Sequence, residues 1–151
     1  MIADGPMIFG IPTITNSTTA TVSPNTYNAG AARILFQQGP GGHMPWVWFR
    51  TAVTADASPS IMVELRGADA ANLTTADITL GSSGIINTTD DGTALVSGET
   101  ISRWFPIAYQ LVAKQHYGLM VTLGGTNPDT VEDTDAAMVV WNPQTNLIYD
   151  N

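Results

Sequence analysis

Short apolar runs separated by turn-forming residues are the feature that most limits the folds open to this 151-residue chain. No window of about eleven residues keeps an apolar stripe at helical spacing without Gly, Pro or several Thr residues. Segments 39–42, 90–92 and 127–129 instead combine Gly, Pro, Asn and Asp, which favour turns. The pattern therefore predicts a β protein without long helices.

Seven runs have the composition of strands, and they cover residues 33–37, 46–53, 60–66, 77–80, 101–107, 117–123 and 136–141. Apolar and polar residues alternate in 60–66, which predicts one buried and one wet face. Both faces of 136–141 are apolar, as in a central strand or an interface. Without alternating helices, the natural solution is all-β: an antiparallel two-sheet sandwich of the jelly-roll type with seven to nine strands.

The first 26 residues differ from the rest because they are rich in Thr, with Pro at both ends of segment 12–24. We expect an extended N-terminal arm or edge strand over residues 1–26, followed by a single domain over 27–151. Ile11 and Ile14 are the arm residues that we expect to contact a partner. No apolar run approaches the roughly 20 residues that cross a bilayer, so we expect no membrane partner.

Charge and composition narrow the function classes. Five Lys and Arg residues against 13 Asp and Glu residues give a net charge of −8, which disfavours nucleic-acid binding. The chain has no Cys, which excludes disulfides and thiolate chemistry and is typical of proteins made in a reducing cytoplasm. Only 12% of residues are charged while 44% are hydrophobic, so we expect a partner to cover part of the surface.

The sequence offers no group of residues that suggests catalysis. His43 and His116 do not stand at the spacing of metal ligands, and we expect both to be structural. No Gly-x-Ser-x-Gly motif is present. We therefore expect neither an enzyme nor a cofactor, and a hydrolytic sandwich enzyme is the weakest of the functions considered.

The strongest acidic cluster consists of Asp129, Glu132, Asp133 and Asp135. Four carboxylates this close together could bind Ca²⁺, which takes six to eight oxygen ligands. The spacing does not match the EF-hand loop, because the Gly and Glu of that motif are missing. A solvated acidic loop is therefore the preferred interpretation, with a calcium site as the weaker one.

Two aromatic segments are candidates for binding. Trp46 and Trp48 share one face of their predicted strand, where they could belong to the core, a protein interface or a sugar-stacking platform. Pro45 beside them favours an edge strand. Arg50 follows on the same strand and is taken with them as an interface candidate.

The second aromatic segment is Arg103-Trp104-Phe105. Arg and aromatic residues are enriched among the residues that dominate binding energy, so all three are candidate interface anchors. An arginine that lays its alkyl stem along the surface is the other interpretation of Arg103.

Several segments in their order resemble one known family. They are Gly-Ala-Ala-Arg at 30–33, Trp-Val-Trp-Phe-Arg-Thr-Ala-Val at 46–53, and the runs 57–69, 80–84, 95–99, 117–123 and 136–141. Over about residues 27–145 the chain resembles the capsid cement, or decoration, proteins of tailed bacteriophages, as in the jelly-roll cement protein of Bordetella phage. Residues 1–26 and the acidic loop 127–135 depart from the family pattern.

The resemblance implies a structural protein on the outer surface of the virion, assembled in the cytoplasm of the host bacterium. Its implied partner is the major capsid protein, whose neighbouring subunits it would bridge after the shell expands. The resemblance also implies a homodimer or homotrimer. A carbohydrate-binding jelly-roll module of a phage fibre or head appendage, with Trp46 and Trp48 as its platform, is the alternative.

Overall fold

A computed structural model describes residues 7–36, 45–54, 60–87, 100–131 and 137–140, and these residues form strands, turns and loops without a helix. The strands are β1 (Met7–Ile8), β2 (Thr21–Val22), β3 (Tyr27–Arg33), β4 (Trp46–Thr54), β5 (Ser60–Ala68), β6 (Ile78–Ser82), β7 (Ile86–Asn87), β8 (Thr100–Pro106), β9 (Lys114–Gly124), β10 (Asp129–Val131) and β11 (Ala137–Val140).

These strands make two antiparallel sheets, which confirms the predicted two-sheet architecture. Sheet A contains β1, β4, β8, β10 and β11, and sheet B contains β2, β3, β5, β6, β7 and β9. In sheet A, β8 pairs along one side of β4, while β11 and β10 follow each other along its other side. In sheet B, β5 and β9 pair over nine residues, from Ser60 opposite Gly124 to Ala68 opposite His116.

The core lies between the sheets and follows from strand alternation. Every second residue of β5 is buried, with Ile61, Val63 and Leu65 at 0% exposure, as their alternating pattern predicted. Val47 and Phe49 of β4 contribute from the opposite sheet and are also fully buried.

The segment before β3 belongs to this core. β1 pairs with β11 in sheet A and β2 pairs with β9 in sheet B, so residues 7–22 cross from one sheet to the other. Phe9, Ile11 and Ile14 are buried along this crossing, at 1–3% exposure. The sequence-based assignment of Ile11 and Ile14 to a partner interface is therefore wrong, because both side chains fill the chain's own core.

Two further expectations are corrected by the strand pairing. The strand predicted over 33–37 is not formed at residues 34–36, and residue 37 lies outside the described residues. β3 ends at Arg33 because the backbone N–H groups of Leu35 and Phe36 donate to a glutamine side chain instead of a neighbouring strand. Pro45 favoured an edge position, yet β4 is paired on both sides. Pro45 precedes the first paired residue, so its missing N–H removes no bond from the ladder.

Candidate interaction surfaces

The outward side of sheet A carries a pair of adjacent tryptophans. Trp48 of β4 lies directly opposite Trp104 of β8, with ring centroids 6.2 Å apart and planes inclined by 43°. Both side chains are half-buried, and the indole N–H of Trp48 donates to the Ser102 hydroxyl at 2.8 Å. That hydrogen bond fixes one ring relative to the neighbouring strand, so the pair forms a defined aromatic surface.

Two other residues of β4 that the sequence suggested for an interface lie on the same side of the sheet as this pair. Trp46 is half-buried and Arg50 is exposed, and both alternate with buried residues of the strand. We call Trp46, Trp48, Arg50 and Trp104 the tryptophan face. The structure thus brings together four of the eight residues that the sequence suggested for an interface.

Phe105 does not belong to this face. Its side chain is 2% exposed and packs in the core, with its ring centroid 6.4 Å from that of Phe49. Because successive side chains of a strand point to opposite sides, Trp104 and Phe105 cannot share a surface. The sequence-based assignment of Phe105 to an interface is therefore wrong.

Arg103 precedes Trp104 in β8, and strand alternation places it on the same side of the strand as Phe105. It alternates with Trp104 along β8 and is half-buried, and its guanidinium donates to the Ser102 carbonyl at 3.2 Å. Arg103 therefore lies next to the tryptophan face along the chain without sharing its direction.

The predicted acidic cluster is described only at its start. The Asp129 carboxylate accepts a hydrogen bond from the backbone N–H of Asn16 at 2.7 Å, which ties β10 to the segment between β1 and β2. Glu132, Asp133 and Asp135 lie outside the described residues, as does His43. Within the described ranges, no three His, Asp or Glu side chains are grouped as a metal site would require.

One buried glutamine organises the connection between the sheets, and sequence reasoning missed it. Gln110 lies between β8 and β9 and is 2% exposed. Its Oε1 accepts from the backbone N–H groups of Leu35 and Phe36 at 2.8 and 3.2 Å. Its Nε2 lies 3.1 Å from the Arg33 carbonyl, 2.8 Å from the Val112 carbonyl and 2.6 Å from the Tyr117 hydroxyl.

Tyr117 completes the network around Gln110. Its hydroxyl donates to the Arg33 carbonyl and accepts from Gln110 and from the Lys114 backbone N–H. Burial raises the pKa of Tyr117 above its ordinary value, although its hydrogen bonds with Gln110 and Lys114 act in the opposite direction. The phenol therefore stays protonated at neutral pH and keeps its role as a donor.

The same network leaves a group of apolar side chains on the outside. Tyr109, Leu111 and Val112 flank Gln110 and are 52%, 83% and 53% exposed, and Ile34 beside Leu35 is 38% exposed. We call Ile34, Tyr109, Leu111 and Val112 the apolar tip. The only local signal for it is a lone polar residue within an apolar run, and that pattern alone does not tell which residues point inward.

In comparisons with known proteins, no protein-family model matches the chain, and no curated protein sequence matches it. Among the described residues there is also no helix of the length and hydropathy that crossing a membrane requires.

Proposed function

We propose that this chain is a capsid cement protein of a tailed bacteriophage, which binds the outside of the expanded head and bridges neighbouring major capsid subunits. The observation that carries the proposal is the tryptophan face. Tryptophan and arginine are the residues most enriched among those that dominate binding energy, and here they share the outward side of one sheet.

The buried core behind the tryptophan face holds its strand in place, which suits a bridging role. Val47 and Phe49 alternate with the tryptophans of β4 and are fully buried, so the outward residues stand on a strand fixed by the core. A rigid protein that contacts two subunits makes its second contact within an existing complex, at a high effective concentration. Opening the seam between the subunits then requires that both contacts break.

Charge gives a second line of support. At a net charge of −8, the chain has little affinity for packaged DNA, and the outer surface of a head keeps it away from that DNA. We further propose that the protein acts as a homodimer or homotrimer, since most soluble oligomers are homo-oligomers with closed symmetry.

Cosedimentation with undecorated heads tests the proposal. We expect saturable binding of the full chain to expanded heads, at a fixed ratio to the major capsid protein, and no binding to unexpanded shells. The double variant Trp48→Ala, Trp104→Ala should bind about tenfold or more weakly, because two interface tryptophans are lost.

The matched control for the double variant is Ile85→Ser, which changes a 66% exposed residue between β6 and β7 in sheet B. It should bind like the unaltered chain. Circular dichroism of all three proteins separates loss of binding from loss of fold. Equal binding by the folded double variant and the control would contradict the role of the tryptophan face.

The tryptophan pair also supports the second candidate, a carbohydrate-binding module. Two indoles with centroids 6.2 Å apart on the outside of a sheet could stack against sugar rings. A glycan array, run with and without a calcium chelator, distinguishes this function. Binding to a defined glycan that disappears in Trp48→Ala, together with no binding to heads, would favour the second candidate.

A further inference from the structure

The chain itself covers apolar residues on the outward side of sheet B. The β5–β6 connection, residues 69–77, folds back over this side and packs Leu73 against Gly118 of β9. The Cδ1 atom of Leu73 lies 2.9 Å from the position that a Cβ atom on this glycine would occupy. Leu73 forms a small apolar cluster with Ala68 and Met120, and each is at most 2% exposed. Because Met120 alternates with core residues of β9, this cluster lies on the side of sheet B that faces away from the core.

The β5–β6 connection is attached to the sheet at both ends. The Asp69 carboxylate accepts from Nζ of Lys114 at 3.1 Å, and the Asp77 carboxylate accepts from Nη1 of Arg66 at 3.0 Å. Between these ends, Leu73 has a φ of +55°, a conformation that residues other than glycine rarely adopt. Its burial against Gly118 offsets this strain, so the cover over sheet B is a defined part of the fold.

Charged side chains lie beside this cover. Arg66 pairs with Glu64 at 2.7 Å in addition to Asp77, and the three side chains are 13–33% exposed, so they still contact water. A partner that covered them would remove this water from charges that are already paired with one another. Such desolvation is costly, because the partner gains no new ion pair in return. The outward side of sheet B is therefore suited to solvent.

The outward side of sheet A has the opposite character. Trp48 and Trp104 pack against each other there and stay half-buried, whereas the apolar cluster on sheet B is closed. Both indoles are uncharged, so their burial by a partner removes apolar surface from water without the desolvation of a charge. The two sides of the sandwich therefore differ in what they gain when a partner covers them.

We propose that the protein binds the shell in one orientation, with the outward side of sheet A against the major capsid protein and the outward side of sheet B toward solvent. This inference rests on the proposed cement function. The tryptophan face then lies across the seam between capsid subunits, and residues 69–77 form part of the outer surface of the decorated head. Their ion pairs with β5 and β9 keep their water in the bound state.

Single cysteines test this orientation cleanly, because the chain contains no Cys. Thr74→Cys places a thiol at an exposed position of the β5–β6 connection, and Ala52→Cys places one on the tryptophan side of β4, two residues after Arg50. The rate of reaction with a maleimide is measured for each full-length variant, free and bound to expanded heads. We expect binding to slow the reaction of Ala52→Cys about tenfold or more and to leave that of Thr74→Cys unchanged.

The labelling pattern separates the orientation from the cement function. If bound Thr74→Cys is protected, or bound Ala52→Cys reacts as fast as the free protein, the orientation is overturned and the cement function stands. If the unaltered chain does not bind heads, both fail. Protection of free Ala52→Cys that disappears on dilution would assign sheet A to a second copy, which also overturns the proposal.

Labelling before binding gives a second readout that does not depend on reaction rates. Thr74→Cys that already carries the maleimide should cosediment with expanded heads like the unaltered chain. Labelled Ala52→Cys should bind about tenfold or more weakly, because the added group stands between the sheet and the shell. Equal binding by both labelled proteins, with circular dichroism unchanged, would contradict the orientation.

Discussion

Replacing Gln110 with Ala is expected to lower the free energy of unfolding by about 3–5 kcal/mol, as measured by urea unfolding followed by tryptophan fluorescence. The amide is buried and serves two backbone N–H groups, two backbone carbonyls and the Tyr117 hydroxyl. Alanine leaves the N–H groups of Leu35 and Phe36 without their side-chain acceptor, and an unsatisfied buried group costs more than the net value of a hydrogen bond.

Gln115→Ala is the matched control for this prediction. Gln115 is half-buried, and its side chain makes a 3.4 Å hydrogen bond to Asn28 at the exposed surface of β3. We expect the loss of this side chain to lower the free energy of unfolding by no more than about 0.5 kcal/mol. Similar losses for the two variants would contradict the structural role assigned to Gln110.

Gly81→Ala is expected to have the second largest effect and to lower the free energy of unfolding by about 2–4 kcal/mol. A Cβ atom at this position would lie 2.6 Å from the backbone carbonyl oxygen of Pro106 and 3.2 Å from the Phe105 ring. The obstacle is backbone that is itself fixed by the Ala108–Leu80 hydrogen bond of 2.6 Å, so it cannot rotate away. Alanine must therefore move β6 away from β8.

Gly30→Ala separates this steric effect from the general cost of replacing glycine. Gly30 has a φ of +75°, which disfavours alanine, but a Cβ there would meet no atom within 4 Å. Its substitution should cost about 1–2 kcal/mol through backbone strain alone. A larger loss for Gly30→Ala than for Gly81→Ala, in the same urea measurement, would contradict the close approach of the two strands.

Sequence reasoning predicted the parts of the fold that depend on local alternation. Segments 46–53, 60–66, 101–107 and 117–123 correspond closely to β4, β5, β8 and β9, and the two-sheet arrangement is confirmed. Strand ends were less predictable when distant groups supplied the hydrogen bonds. β3 stops at Arg33 because Gln110, more than seventy residues away, takes the next N–H groups.

The candidate surfaces were predicted less well, because composition does not tell which side of a strand or segment faces the core. Trp104 and Phe105 are both large and apolar, so composition could not tell which one faces the core. In the Thr-rich first segment, Ile11 and Ile14 are apolar residues among mostly polar ones, yet the crossing between the sheets buries them. The apolar tip has the opposite arrangement, since a polar residue is buried and its apolar neighbours are exposed.

Thermal disruption of expanded heads, with and without the added full-length protein, tests the central claim most directly. A cement protein must stabilise the shell as well as bind it, because each bridge adds contacts that have to break together. We expect the temperature of disruption to rise with occupancy until the sites are saturated, and not to rise with the variant Trp48→Ala, Trp104→Ala. Saturable binding that leaves this temperature unchanged would contradict the cement function.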